Sequence, residues 1–122
     1  MKHLNLILTL LILICYPLHP AYAFFDKDIQ LLTMRDGLAD NTIPCIYKDE
    51  DGFMWFGTDN GLSRYDGNSF LTFRPEAGDK VSLADNRIYD LTEDKDGFLW
   101  ISTTPELYSC YDLQRARFVD YT

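Results

Sequence analysis

The sequence has 122 residues, room for one domain, and carries eleven Lys and Arg against nineteen Asp and Glu, a formal net charge of −8. So acidic a chain is unsuited to nucleic acid or to an anionic membrane surface, because both require a basic patch.

The first element in chain order is a leader. Residues 1–23 open on Lys2 and His3, run apolar from Leu4 to Tyr16, break at Pro17 and Pro20, and close on Ala21-Tyr22-Ala23. That is the order of a secretory signal peptide with an A-x-A cleavage site. The apolar run is thirteen residues long, against about 20 for a helix that crosses a bilayer, so cleavage is expected and not a permanent anchor. Cys15 follows Ile14, too bulky for a lipid-attachment signal. Cleavage leaves 99 residues, removes Lys2, Cys15, His3 and His19, and raises the net negative charge to about −9. With no histidine left, His ligation of a metal, His base catalysis and phosphoryl transfer to His all drop out.

Residues 24–40 follow as a lead-in, and beyond them the chain repeats itself. At an offset of 45, Leu38-Ala39-Asp40-Asn41 matches Leu83-Ala84-Asp85-Asn86, Asp49 falls on Asp94, Asp51-Gly52-Phe53 on Asp96-Gly97-Phe98, Trp55 on Trp100 and Thr58 on Thr103. One extra residue then brings Tyr65-Asp66 onto Tyr111-Asp112, and a longer hairpin brings Phe70 and Phe73 onto Phe118 and Tyr121. The insertions fall between apolar runs, which marks those positions as loops. Each unit therefore reads as four short strands, at about 43–48, 53–58, 62–65 and 70–74, and again at about 88–93, 98–103, 107–111 and 117–121.

Asp51-Gly52, Asp66-Gly67 and Asp96-Gly97 are hairpin signals, since Gly accepts positive φ. The run Phe53-Met54-Trp55-Phe56 is apolar throughout, as for a central strand covered on both faces. Pro44 fits an edge strand. Four antiparallel strands repeated every 45 residues or so, with an aromatic in the second, indicate an all-β fold of β-propeller blades. Blade 1 spans 41–81 and blade 2 spans 82–122. Cys45 and Cys110 lie on different strands of different repeats and are expected as small buried side chains, not as a pair.

The pattern from Asn41 to Gly67, Asn-x-Ile-x-x-Ile-x-x-Asp-x-x-Gly-x-x-Trp-x-Gly-Thr-x-x-Gly-Leu-x-Arg-Tyr-Asp-Gly, resembles the two-component regulator propeller repeat. Its structural positions here are Asn41, Asp49, Gly52, Trp55, Gly57, Tyr65 and Asp66, with Asn86, Asp94, Gly97, Trp100, Tyr111 and Asp112 in the second copy. The resemblance covers residues 29–122 and implies a periplasmic sensor region of a bacterial hybrid two-component system. In that family seven-bladed rings precede a β-sandwich, a membrane helix and a histidine kinase core. By that resemblance residues 29–35 form a lone strand that closes the ring, the chain is an amino-terminal fragment, and the partners are further blades, an oligosaccharide and, in the full-length sensor, a second copy. The second repeat departs from the pattern: Ser102-Thr103-Thr104-Pro105-Glu106-Leu107 replaces Gly57-Thr58-Asp59-Asn60-Gly61-Leu62, which implies a rebuilt loop.

Site chemistry is sparse. The Asp-x-Asp-Gly turns fail as EF-hand loops, because Tyr47, Thr58, Thr92 and Thr103 stand where acids are needed. Every repeated acid sits at a turn, where Asp bonds local backbone, so no catalytic pair and no cofactor is expected, and Trp55 and Trp100 are expected to pack between blades. Ligand contact, if any, belongs to the loops before the first strand and between the second and third, which gather at one face and carry Asp40, Asp59, Asn60, Asp85 and Glu106. Asn41 and Asn86, in the same loops, are expected to cap a turn in each repeat. The competing functions are blades of a propeller enzyme acting on glycans, and a structural module that binds a protein.

Overall fold

The computed structural model describes residues 2–14 and 29–122, in two units, Met1–Leu31 and Leu32–Thr122. The first unit contains helix α1 (Lys2–Ile14). Among the described residues no helix is long and apolar enough to cross a membrane. The expected cleavage site at Ala21–Ala23, with Cys15 and residues 24–28, lies outside the described residues.

The second unit is two four-stranded antiparallel sheets. The first is ordered β1 (Cys45–Lys48), β2 (Met54–Thr58), β3 (Gly61–Tyr65), β4 (Phe70–Phe73). The second is ordered β5 (Asp90–Glu93), β6 (Phe98–Thr104), β7 (Leu107–Asp112), β8 (Arg117–Val119). Both are meanders in which sequential strands are spatial neighbours, as short hairpin turns require. Equivalent residues occupy equivalent registers: Trp55 lies opposite Tyr47 and Arg64, and Trp100 opposite Thr92 and Cys110.

Two sequence expectations are corrected here. Residues 29–33 have no regular structure and Met34–Asp36 form a one-turn 3-10 helix, so the lone strand expected at 29–35 is not formed. A strand exists only with a ladder partner, and neither described sheet pairs with this segment. Thr33 caps that turn with its side chain while Asp36 Oδ2 accepts from the Thr33 N–H at 2.8 Å, so local polar groups take the bonds a ladder would have taken. Second, β2 is not buried on both faces: Trp55 is fully buried, while Met54 and Phe56 are only half-buried on the other side. Pro44 stands just before β1, where its missing N–H costs no ladder bond.

The sheets stack through side chains of alternate residues, as the period of two along a strand dictates. The first sheet offers Trp55, Leu62 and Phe73; the second offers Leu91, Leu99, Ile101 and Tyr111, with Leu83 and Ile88 from the segment between them. Trp55, Phe73, Tyr111 and Phe118 form an aromatic box, Trp55 and Tyr111 edge to face at 5.2 Å and Phe73 and Phe118 at 5.5 Å. Such pairs contribute about 0.5–1.5 kcal/mol each beyond area burial. Cys45 and Cys110 are both free thiols, and burial pushes Cys45 up to about 11.

Candidate functional site

The two turns that enter the second strands are built alike, by one carboxylate each. Asp49 Oδ1 accepts from the Phe53 N–H at 2.9 Å, and its Oδ2 accepts from the Trp55 indole N–H at 2.8 Å. Asp94 does the same for Phe98 at 3.1 Å and Trp100 at 2.9 Å. The indole bond holds the Asp94 carboxyl below the usual carboxylate range, with the Phe98 N–H adding to the effect. Gly52 and Gly97 complete these turns with φ of 91° and 85°, a region that disfavours side chains. At the β3–β4 and β7–β8 turns, Asp66 and Asp112 accept two backbone N–H bonds each, Asp66 from Asn68 and Ser69, Asp112 from Gln114 and Arg115.

The segment before each sheet is latched to the third strand. The Ala39 N–H donates to Ser63 Oγ at 2.9 Å, and the Ala84 N–H to Ser109 Oγ at 2.8 Å. Leu38 and Leu83 are buried beside these bonds. Sequence reasoning missed both the latch and the carboxylate–indole bond. Each had a signal: Ser63 and Ser109 lie 46 apart, in the same register as Tyr65 and Tyr111, and Asp recurs six residues before Trp in both copies.

Most of the loops expected to gather do so at one rim. The Asp59 N–H donates to the Thr42 carbonyl at 3.1 Å, and across the stack the Gly61 N–H donates to the Asn86 carbonyl at 2.6 Å and the Ile88 N–H to the Thr58 carbonyl at 2.9 Å. Arg87 Nε meets Asp59 Oδ1 at 3.3 Å. That oxygen is enclosed and receives no hydrogen bond, so the pair is an ion contact without the alignment that strengthens one. Asp40 and Asp85 each turn one carboxylate oxygen back to the chain, onto the Thr42 and Arg87 N–H groups. Asn60 lies exposed, its carbonyl accepting from Arg74 Nε at 3.0 Å. Glu106 stands at the exposed tip of the β6–β7 turn, and among the described residues no hydrogen bond or ion pair ties it to this group.

Asn41 and Asn86 do not act alike. Asn41 Oδ1 accepts from the Met34 N–H at 3.0 Å, whereas Asn86 contributes its backbone carbonyl to Gly61. The 3-10 turn whose Met34 N–H Asn41 accepts has no helical counterpart before the second sheet, where the chain forms a turn closed by the Asp79 N–H on the Glu76 carbonyl at 3.1 Å and then bends. The β6–β7 connection is rebuilt as its sequence implies: a register shift between Ser102 and Thr104 precedes the turn, and Thr103 Oγ1 donates to the Leu107 carbonyl at 3.0 Å, as Thr58 donates to Gly61 at 2.7 Å.

The two sheets match a known family in both copies. Residues 37–60 and 82–104 match the two component regulator propeller. Each sheet is thus similar to that repeat over its first two strands. Each sheet is therefore a blade, blade 1 built on β1–β4 and blade 2 on β5–β8. A solved structure assigned as the extracellular domain of the hybrid two component system BT3049 from B. thetaiotaomicron is similar over 76% of this chain and 13% of that chain, with a TM-score of 0.67 and 29% identity. Histidine kinase P4 of Formosa agariphila is 35% identical over 51 residues, which are 42% of this chain and 4% of the kinase. The chain thus spans a small part of the length of both relatives.

Proposed function

We propose that this chain is an exported, blade-bearing part of the sensor region of a hybrid two-component system, completed by further blades, and that its loop rim contributes to recognition of an oligosaccharide in the periplasm. The likeness to an extracellular domain assigned to such a system supports the sensor reading and its placement outside the inner membrane. The apolar run that α1 carries and the Ala21-Tyr22-Ala23 sequence after it support export.

The observation that carries the ligand part is the rim itself. Asp40, Asp59, Asn60 and Asp85 lie in three segments that backbone bonds fasten together, which gives a binding surface positions that the sheets hold in place. Carboxylates and amides suit sugar hydroxyls, which both donate and accept. Glu106, on the next turn, would extend the surface. The test is calorimetric titration of the sensor ectodomain that contains these blades with a panel of oligosaccharides. One ligand should bind, and Asp59→Ala with Asn60→Ala should weaken it about tenfold, the loss expected when a charged hydrogen bond is removed. Undiminished affinity in the double variant would remove the rim from recognition; silence across a broad panel would remove the oligosaccharide.

A further inference from the structure

The two blades do not present the same surface to what covers them. Over blade 1, Ile88 packs against Gly57. A Cβ placed on Gly57 would stand 2.6 Å from Ile88 Cγ2 and also overlap Cys45 Sγ, so the isoleucine fills space that only glycine leaves open. Cys45 is the cross-strand partner of Gly57. On blade 2 the same cross-strand pair is Asp90 and Ser102. The face on which they stand is open: Asp90, Thr92, Trp100, Ser102 and Tyr108 line a depression of about 350 Å³. Trp100 and Tyr121 meet edge to face at 5.1 Å there, where the equivalent pair on the covered face of blade 1, Trp55 and Phe73, is stacked at 6.0 Å.

We propose that the open face of blade 2 is keyed for a further blade that brings a short, hydrogen-bond-donating side chain to the position Ile88 holds over blade 1. Two physical requirements lead there. Ser102 fills the space that glycine leaves, so an isoleucine placed as Ile88 is would overlap it, and backing the covering blade away would leave Trp100 under-packed. Asp90 must also lose water when covered. One of its oxygens accepts the Leu91 N–H at 2.9 Å, and a buried carboxylate needs donors for the rest of its capacity. A second copy of this chain fails both requirements, because its blade 1 would bring Ile43, the equivalent of Ile88. The occupant is a blade of different sequence, and the face sets the order in which blades stack. This inference rests on the reading that further blades complete the ring.

The test uses the full chain and only its internal interface, so its failure is separate from any failure of the sensor reading. Cys45→Asp with Gly57→Ser transplants the blade 2 pair beneath Ile88. The thermal midpoint of the sheets should fall by about 10 °C, the shift expected from overpacking in a domain of this size. Adding Ile88→Ser should recover a large part of that loss, although Ile88→Ser alone lowers the midpoint of the unaltered chain. Ile88→Ala in the transplant should recover less than Ile88→Ser, because it relieves overlap without supplying a donor. Should the transplant not fold, the triple variant with Ile88→Ser decides: cooperative unfolding supports the key, and failure to fold overturns it. A transplant that keeps its midpoint within about 2 °C, or one in which Ile88 remains the best residue, also overturns it.

Discussion

Removing the Asp49 carboxylate tests how much of each blade hangs on one side chain. In Asp49→Ala the Trp55 indole N–H and the Phe53 N–H lose their acceptors together. Trp55 is fully buried and Asp49 is 4% exposed, so water cannot take over the indole bond without opening the stack. A buried donor left unsatisfied costs about 1–3 kcal/mol, and the half-buried Phe53 bond adds about 1 kcal/mol, which gives a loss of about 3 kcal/mol. For a domain of this size that lowers the thermal midpoint by roughly 15 °C. Asp94→Ala removes the equivalent bonds, but Trp100 is half-buried on an open face where water can reach its N–H, so its loss should be clearly the smaller of the two. Differential scanning calorimetry on both variants measures the asymmetry. A cycle with Trp55→Phe isolates the indole bond, since Phe has no donor and should make Asp49→Ala less costly. Equal shifts from Asp49→Ala and Asp94→Ala would refute the reasoning, because identical bonds would then be worth the same with and without a covering blade.

Other outcomes follow from the repeated bonds. Ser63→Ala and Ser109→Ala each remove the acceptor of one lead-in N–H and should each cost about 1–2 kcal/mol in urea unfolding; a neutral Ser63→Ala would show that Leu38 burial alone holds the lead-in. Acid should destabilise the sheets through carboxyls whose folded values are depressed, Asp94 by the Trp100 indole and Asp66 by the Ser69 N–H. A depressed folded value gives stability that is complete above the unfolded value and lost as pH falls through the folded one, so the midpoint should drop steeply below about pH 4. Asp94→Asn should be less stable at neutral pH and should lose less on acidification; a midpoint that falls in parallel with the unaltered chain would rule Asp94 out as a contributor.

The strand plan was legible because a repeat is read twice: an insertion that breaks the offset without breaking an apolar run locates a loop from composition alone. The hairpin turns were legible for the same reason, with Asp and Gly recurring where positive φ is needed. The lone strand at 29–35 was not, because a strand is a relation between two segments and the sequence shows only one of them. The rim loops were legible as a gathering of segments, but Arg87 facing Asp59 and Arg74 facing Asn60 were not. Those pairs join residues with no common repeat position: the stacking of blades brings Arg87 to Asp59, and the pairing of β4 on β3 brings Arg74 to the β2–β3 turn.

The repeat also explains why equal motifs end in unequal surroundings, and in opposite order along the chain. Trp55 is fully buried and its equivalent Trp100 is half-buried, whereas Tyr65 is half-buried and its equivalent Tyr111 is 2% exposed. Fraying at one end would loosen both members of the same copy. Here the looser member is the tryptophan of blade 2 and the tyrosine of blade 1, because β-strand alternation puts them on opposite faces of their sheets and each faces away from the other blade. The burial of any motif residue is therefore set by its nearest neighbour in the stack, as in other repeat architectures. Blade 1 has the apolar groups for a neighbour on its far side, with Met54, Phe56 and Phe70 in the registers of Leu99, Ile101 and Phe118. Blade 2 has Trp100 for a neighbour on its own far side, but with Asp90 and Ser102 beside it. The two outer faces are thus complementary in their aromatic groups and mismatched at one polar pair, so a stack that repeats everywhere else is still read in one order.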